Sequence, residues 1–237
     1  QLYIDGVLEK TGSMSPPTAT DESFYIAAAA KNNPENHFRG NIDEVRVWDI
    51  NLTPAQLRFI MNQEIRENSN FVAGKIMPTT ISKNEVAAIP WSKLAGYYPM
   101  SVYTYTNTED ASGNGHQGAL RNLNTVDRQT APLPYISNNN GNWTTKSTWL
   151  NGTIQPIPGA KSIVNSSTYI DWNIVQTSHN VTLDNSTITS GNRSLLGLFV
   201  NSNKITVNGN NTTKEMYLDI VEYFKNHNKA NLTGVFV

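Results

Sequence analysis

The alternation of apolar and polar residues near the N-terminus predicts short β-strands. Val45 and Val47 are separated by charged residues and follow Ile42, which is close to the period-two pattern of a half-buried strand. The Asp5-Gly6 pair lies between two apolar runs. Asp-Gly is a strong signal for a two-residue turn, because both residues tolerate positive φ. We therefore expect a hairpin at residues 2–8 and a strand at residues 42–47.

A short helix is predicted directly after this strand. Thr53 is a suitable N-cap, Pro54 fits the first helical position, and Gln56 completes a capping box. An amphipathic helix that packs on the preceding strand should follow. Its apolar residues recur at helical spacing and are Leu57, Ile60, Met61 and Ile65.

The C-terminal third has a different pattern. From residue 162 onward, short apolar runs are separated by Asn, Ser or Gly. Turn signals at roughly ten-residue intervals predict an all-β sandwich or a β-solenoid. Asn at the turns favours the solenoid, because Asn tolerates left-handed backbone and can form ladders between coils. Trp143 and Trp149 should cover the first coil, since an open solenoid end needs a bulky cover.

Composition excludes several classes of protein. The formal net charge is -1, which excludes the strongly basic surface of a typical nucleic-acid-binding domain. The chain has no cysteine, so disulfides and thiolate metal sites are excluded. No apolar run approaches the roughly 20 residues of a transmembrane helix. Abundant Asn, Ser and Thr with 16% charged residues is typical of β-rich surface repeats.

Two N-terminal motifs carry a resemblance to a known family. Residues 38–48 (FRGNIDEVRVW) and the helix after them resemble the closing strand and helix of laminin-G-like, concanavalin A-like jelly rolls. The hairpin at residues 2–6 (LYIDG) resembles one that such domains carry upstream, and residues 24–26 would form the strand between. A full sandwich of this kind is about twice as long. The resemblance therefore implies a fragment of a larger protein, with the front half of this domain outside the chain.

Later segments carry a second resemblance. Residues 96–100 (GYYPM) and 110–115 (DASGNG) resemble the opening of another laminin-G-like repeat. Together with residues 129–135, 172–180 and 195–209, in this order, they resemble the SprB-type gliding-motility adhesins of the Bacteroidota. That resemblance implies a protein secreted by the type IX system to the cell surface, associated with the outer membrane. The implied partners are extracellular polysaccharide or surfaces and the type IX secretion and gliding machinery.

These patterns predict an all-β fold in three segments. Residues 1–66 would be the C-terminal part of a laminin-G-like sandwich. Residues 67–131 would be a connector with a partial laminin-G-like repeat and a short helix near residues 82–88. Residues 132–237 would be a β-rich, solenoid-like surface-repeat unit.

One loop has the composition of a metal site. Asp110 and Asn114 offer a carboxylate and an amide on a Gly-rich bend, which are hard oxygen ligands suited to calcium. The laminin-G-like resemblance adds Asp43 as a second candidate for structural calcium. The alternative is an Asx-turn at Asp110 and a solvent-facing carboxylate at Asp43. The two lie in different predicted segments, so a shared site is not assumed.

Residues for catalysis are sparse. From Leu133 onward the carboxylates show no motif for glycoside hydrolysis, and the four histidines are scattered. We expect His179 to lie in a turn or to pack, Trp48 to be buried, and either Tyr169 or Trp172 to face outward. The leading hypothesis is a non-catalytic adhesin. The alternatives are a carbohydrate-binding accessory region of a polysaccharide-degrading enzyme and a structural stalk.

Overall fold

The computed structural model describes ten ranges of the chain, which are residues 1–16, 18–29, 35–75, 88–101, 106–121, 133–150, 155–184, 193–208, 218–226 and 230–233. The N-terminal strands are β1 (Leu2–Ile4), β2 (Val7–Lys10), β3 (Val45–Trp48), β4 (Glu64–Asn68), β5 (Phe71–Lys75), β6 (Leu94–Tyr98), β7 (Asn107–Thr108) and β8 (Gly118–Ala119). Helix α1 spans Pro54–Ile60, and a 3-10 turn spans Trp91–Lys93.

The remaining strands are β9 (Tyr135–Ser137), β10 (Gly141–Asn142), β11 (Trp149–Leu150), β12 (Ile174–Thr177), β13 (Val181–Asp184), β14 (Arg193–Val200), β15 (Asn203–Asn208), β16 (Leu218–Asn226) and β17 (Ala230–Thr233). A second 3-10 turn spans Lys146–Thr148. The all-β prediction is confirmed.

Local signals set the N-terminal elements. The Asp5-Gly6 turn joins β1 to β2 with positive φ at both residues, as predicted. At α1 the Thr53 side chain accepts from the Gln56 N–H, and the Gln56 side chain accepts from the Thr53 N–H. The predicted capping box is therefore confirmed.

A long-range strand pair crosses the first two predicted segments. Strand β3 pairs antiparallel with β6, so that Val45 lies opposite Tyr98 and Arg46 opposite Tyr97. The second laminin-G-like motif therefore completes a small sheet with the first. The proposed division of the chain at residues 66 and 131 stays a prediction.

The C-terminal strands form two stacks of parallel strands. In the long sheet, β9, β12, β14 and β16 are parallel neighbours, and β11 adds antiparallel to β9. In the short sheet, β10, β13, β15 and β17 are parallel neighbours. Each coil contributes one strand to each sheet, and apolar residues such as Val175, Val181 and Leu198 fill the space between the sheets. This is the solenoid arrangement that the Asn-rich turns predicted.

Hydrogen bonds tie the turns of successive coils together. The Asn180 N–H donates to Oδ1 of Asn140 at 2.8 Å, and Nδ2 of Asn203 donates to the Ser178 carbonyl at 2.7 Å. Asn203 has φ +63°, a left-handed conformation that Asn tolerates well. His179 lies in one of these turns and contacts the Ser137 hydroxyl at 2.9 Å, in agreement with its predicted turn role.

Two tryptophans close the first coil. Trp143 is fully buried and Trp149 nearly so, and their rings meet edge to face at a centroid distance of 4.8 Å. The Trp149 indole N–H donates to the Trp143 carbonyl, and the Trp143 indole N–H donates to the Pro158 carbonyl. Trp143 directly follows β10, the edge strand of the short sheet. Trp149 begins β11, the edge strand of the long sheet. Their position agrees with the predicted cover.

Helix α1 packs between the N-terminal elements and the solenoid. Its Ile60 belongs to the N-terminal core, whereas Phe59 packs on the outer face of the long sheet, against Ile174, Leu196 and Phe199. Nδ2 of Asn62, just after the helix, donates to the Trp172 carbonyl at 2.7 Å. The helix therefore joins the two regions through apolar and polar contacts.

Some predictions were wrong. Residues 24–26 do not form a strand, because the backbone bends there and Ala27 takes a left-handed φ of +68°. Val47 is exposed, whereas the side chains of Arg46 on β3 and of Glu44 directly before it are buried, so the charged side chains and not Val47 face inward. Trp48 is half-buried rather than buried. The helix predicted near residues 82–88 lies mostly outside the described residues.

Candidate functional site

The predicted calcium loop folds around the Asp110 carboxylate. Oδ1 of Asp110 accepts hydrogen bonds from the backbone N–H groups of Tyr97 at 2.9 Å and Ser112 at 3.0 Å. Oδ2 accepts from the His116 N–H at 2.9 Å. The Asp110 side chain has no exposed surface. Both oxygens are thus bound by the protein's own amides, and the bond to Ser112 is that of an Asx-turn.

The hydrogen bonds also set the charge state of Asp110. Burial alone would raise its pKa, but donation from the Ser112 hydroxyl and from the N–H groups of Tyr97, Ser112 and His116 outweighs burial and lowers the pKa. The carboxylate is therefore ionised at neutral pH and fastens the loop to β6.

Asn114 reinforces the same attachment. Its Nδ2 donates to the carbonyls of Leu94 at 2.8 Å and Ala95 at 3.1 Å, both on β6. The His116 ring contacts the Ala95 carbonyl through Nδ1 at 3.0 Å. The loop side chains therefore point toward the strand, where they bind backbone carbonyls.

Asp43 lies directly before β3 and is half-buried, and its Oδ1 accepts from the Glu44 N–H at 3.0 Å. Because β3 pairs with β6, the two candidate segments flank one sheet. Within the described ranges, no three His, Asp or Glu side chains come together as a metal-ion site. Calcium binding by Asp110, Asn114 and Asp43 stays a prediction.

A buried polar cluster, which the sequence motifs did not reveal, lies beside this loop. The Glu44 carboxylate forms an ion pair with Arg46 and accepts from the Tyr97 hydroxyl at 2.9 Å. The side chains of Glu44 and Arg46 are each only 8% exposed. Arg46 also donates to the carbonyls of Ile60 and Gln63, at the end of α1. We call Glu44, Arg46 and Tyr97 the polar cluster.

The polar cluster explains the charged positions of the N-terminal motif. Glu44 lies directly before β3 with a left-handed φ of +53°, and its carboxylate turns toward the Arg46 side chain on the strand. Glu44 connects the start of β3 to Tyr97 on β6, and Arg46 connects β3 to the end of α1. The available signal was the presence of opposite charges two residues apart in the sequence, which can form an ion pair.

Burial perturbs the titration of this cluster. It raises the pKa of Glu44, although Arg46 and the Tyr97 hydroxyl partly offset the effect. Burial also raises the pKa of Tyr97 well above its usual range, opposed by the Arg46 cation. These groups therefore lie in a water-poor setting, in which burial disfavours the ionised forms of both Glu44 and Tyr97.

Glu64 is a second carboxylate of this region. Its charge contributes to the raised pKa of Glu44. It forms an ion pair with Lys75 at 3.2 Å, and its side chain is 10% exposed. Two carboxylates are thus near each other, but each is buried and pairs with a cation, so neither is presented to a substrate.

Comparison with known families agrees with the N-terminal motifs. Residues 1–58 match a family model described as the concanavalin A-like lectin/glucanases superfamily. This segment is similar to lectin-type jelly rolls. The match runs from β1 into α1 and includes the Glu44 and Arg46 positions of the polar cluster. It confirms the laminin-G-like and concanavalin A-like resemblance.

No curated protein and no solved structure matches the chain. In the part of the chain that the structure describes, no helix is long and apolar enough to cross a membrane.

Proposed function

We propose that this chain is a non-catalytic region of a secreted cell-surface adhesin that binds extracellular polysaccharide or surfaces. The observation that carries the proposal is the lectin-type match over residues 1–58, in a segment whose motif residues build the fold. Glu44 and Arg46 hold strands and helix together, which leaves recognition to the surface of the domain.

A hydrolytic role is less well supported. Glycoside hydrolysis needs two carboxylates that reach the same sugar, about 5–10 Å apart. Glu44 and Glu64 are the nearby pair described above, but both are buried and bound by Arg46 and Lys75. A sugar would have to displace two ion pairs to reach them. Recognition without bond cleavage therefore fits these residues better.

The proposal extends to gliding motility in the Bacteroidota, with export by the type IX system and attachment at the outer membrane. Support comes from the order of the segments after residue 96, which resembles SprB-type adhesins. In that role the N-terminal region binds, and the solenoid serves as part of a stalk.

A force-transmitting function is supported by one further observation. Helix α1 contacts both the N-terminal core and the long sheet of the solenoid through Ile60 and Phe59. A pull on the solenoid would therefore pass to the N-terminal region through packed side chains. A purely structural spacer would have the same contacts but no affinity for sugars.

Polysaccharide binding and hydrolysis are tested together. The full chain is run through native gels that contain hydroxyethyl cellulose, laminarin, xyloglucan or alginate, and the same polysaccharides are assayed for new reducing ends. We expect retarded migration in at least one gel and no reducing ends. Migration that no polysaccharide retards favours the spacer, and new reducing ends refute the non-catalytic proposal.

A further inference from the structure

Two Asn-Gly pairs of this chain differ in how the structure holds the glycine. In an Asn-Gly pair the backbone nitrogen of the glycine can attack the asparagine side chain, because glycine has no side chain to hinder the approach. The sequence contains four such pairs, which begin at Asn114, Asn140, Asn151 and Asn208. Both residues of the pair lie in the described ranges only at 114–115 and 140–141. These two pairs therefore show one reactive sequence in two settings.

Gly115 lies in an open setting. Both Asn114 and Gly115 are exposed. A Cβ atom at residue 115 would have nothing within 4 Å apart from its chain neighbours, and Gly115 has a φ of +78°, which glycine adopts freely. Within the described ranges, the Gly115 N–H donates no hydrogen bond. The Gly115 nitrogen is therefore able to move toward the Asn114 side chain without first breaking a bond of its own.

Gly141 is held in place. Its N–H donates to the Asn180 carbonyl at 3.0 Å, and it begins β10, which pairs with β13. A Cβ atom at residue 141 would lie 2.6 Å from Oγ1 of Thr148. Oδ1 of Asn140 accepts from the Asn180 N–H at 2.8 Å. Both reacting groups of this pair are therefore fixed until the end of the solenoid opens locally.

The side chain of Asn114 attaches its loop to β6 as a hydrogen-bond donor. Its Nδ2 donates to the carbonyls of Leu94 at 2.8 Å and Ala95 at 3.1 Å. Deamidation would replace this donor with a carboxylate oxygen, which accepts hydrogen bonds and cannot donate to a carbonyl. Both bonds to β6 would be lost, and a negative charge would face two carbonyl oxygens.

We propose that Asn114 is a site of spontaneous deamidation, which loosens residues 110–116 from β6. The Gly115 nitrogen bonds to Cγ of Asn114, the Cγ–Nδ2 bond breaks, and Nδ2 leaves as ammonia with the proton of the Gly115 amide. Water then opens the resulting succinimide at either of its carbonyls, which leaves aspartate or isoaspartate at position 114. The site is independent of the proposed polysaccharide binding.

Ageing the full chain in heavy-oxygen water at mildly alkaline pH tests the site, because hydrolysis of the succinimide places a heavy oxygen in the product. Trypsin then releases residues 94–121 and 129–146 as separate peptides, since each range follows a basic residue and ends at one. Fragment spectra locate the label within each peptide. We expect labelling at Asn114 to be about tenfold faster than at Asn140 or more, because Asn140 must wait for local opening.

The same ageing in urea is the matched control. Unfolding removes the difference between the two settings, so the two labelling rates should come close together. Asn114→Gln should carry no label at position 114 in the folded chain, because attack on the longer side chain needs a larger and less favourable ring.

Two variants test the effect on the loop. Asn114→Asp carries the product side chain and should lower Tm by about 2–12 °C, because two hydrogen bonds are lost. Asn114→Ala loses the same bonds without placing a charge at the carbonyls, so its Tm should fall less. Scanning calorimetry measures both changes.

Each outcome supports or overturns the inference. Labelling at Asn140 that equals or exceeds labelling at Asn114 in the folded chain overturns the site, as does a folded chain that labels at neither while both label in urea. An Asn114→Asp protein with the Tm of the unmodified chain overturns the loosening of the loop. The ageing experiment uses the unmodified chain, so it decides the first point even where a variant fails to fold.

Discussion

Replacing Trp172 by Ala tests whether α1 joins the two regions into one cooperative unit. Trp172 is 4% exposed and packs with Val7, Ile170 and Met61. The Arg58 guanidinium lies over its ring at 4.5 Å. The substitution removes this apolar contact and the cation–π interaction but leaves the hydrogen bond from Asn62, which uses the Trp172 backbone carbonyl.

The cost follows from the burial of the side chain. Truncation of a buried tryptophan to alanine costs about 3–5 kcal/mol, which includes the cavity that remains. For a chain of this size each kcal/mol lowers Tm by about 2–4 °C. We therefore expect Tm to fall by about 6–20 °C. We also expect the N-terminal region and the solenoid to unfold in separate steps, because the Trp172 ring connects them. It contacts Val7 on β2, Arg58 on α1 and Met61 just after α1.

Scanning calorimetry measures both effects. Tyr169→Ala is the control, since Tyr169 is an aromatic residue three positions away with 38% of its surface exposed. Exposed substitutions usually change stability by about 0.5 kcal/mol or less. A Trp172→Ala protein with the Tm of the Tyr169→Ala protein and one sharp transition would refute the coupling through α1.

Three further predictions concern Gly6, Asp110 and Glu44. Gly6→Ala should destabilise the chain by about 1–3 kcal/mol in urea unfolding, because its Cβ would lie 2.9 Å from Met61 and the Trp172 ring. Gly113→Ala, which also has positive φ but nothing within 4 Å, should show the backbone strain alone, and equal losses for the two would refute the crowding. Asp110 has a lowered folded pKa, so its stabilisation is full above about pH 3.8 and is lost as pH falls through the folded value. Asp110→Asn should cost about 1.5–3 kcal/mol at pH 7 and little at low pH, and a pH-independent loss would contradict this. Glu44 has a raised folded pKa, so its contribution is present below about pH 4.5 and is lost as pH rises through the folded value. Glu44→Gln should remove that decline from a urea titration across pH, and an unchanged pH profile would count against it.

The elements that were predicted correctly depend on residues that are close together in the sequence. The Asp5-Gly6 turn and the Thr53 capping box each depend on residues within a few positions of each other, and both are confirmed. The solenoid was predictable because Asn recurs at its turns, where Asn203 takes positive φ. These features depend on backbone preferences that a single sequence displays.

The features that were predicted wrongly depend on contacts with residues far away in the sequence. Arg46 faces inward because the carbonyls of Ile60, at the end of α1, and of Gln63, just after it, accept its hydrogen bonds. The alternation of charged and apolar residues on β3 is the same for either orientation, so it did not reveal which face is buried. Residues 24–26 are apolar enough for a strand, but the backbone bends at residues 26 and 27, where Ala27 has a φ of +68°.

The candidate metal loop shows the same limit. Its composition predicted both a calcium site and an Asx-turn at Asp110. The hydrogen bond from Ser112 is local and was foreseeable, whereas the donor on Tyr97 comes from a strand that the loop folds back upon. Sequence alone does not reveal that such a distant amide binds the carboxylate.

The burial of both faces of the long sheet has a practical consequence for dividing this protein into parts. All four residues of β12 are buried, because the solenoid core covers one face and Phe59 packs on the other. Cutting the chain near residue 132 would bare Ile174, Leu196 and Phe199 to water. The excised solenoid should then aggregate, whereas supplying residues 53–63 as a separate peptide should restore its solubility.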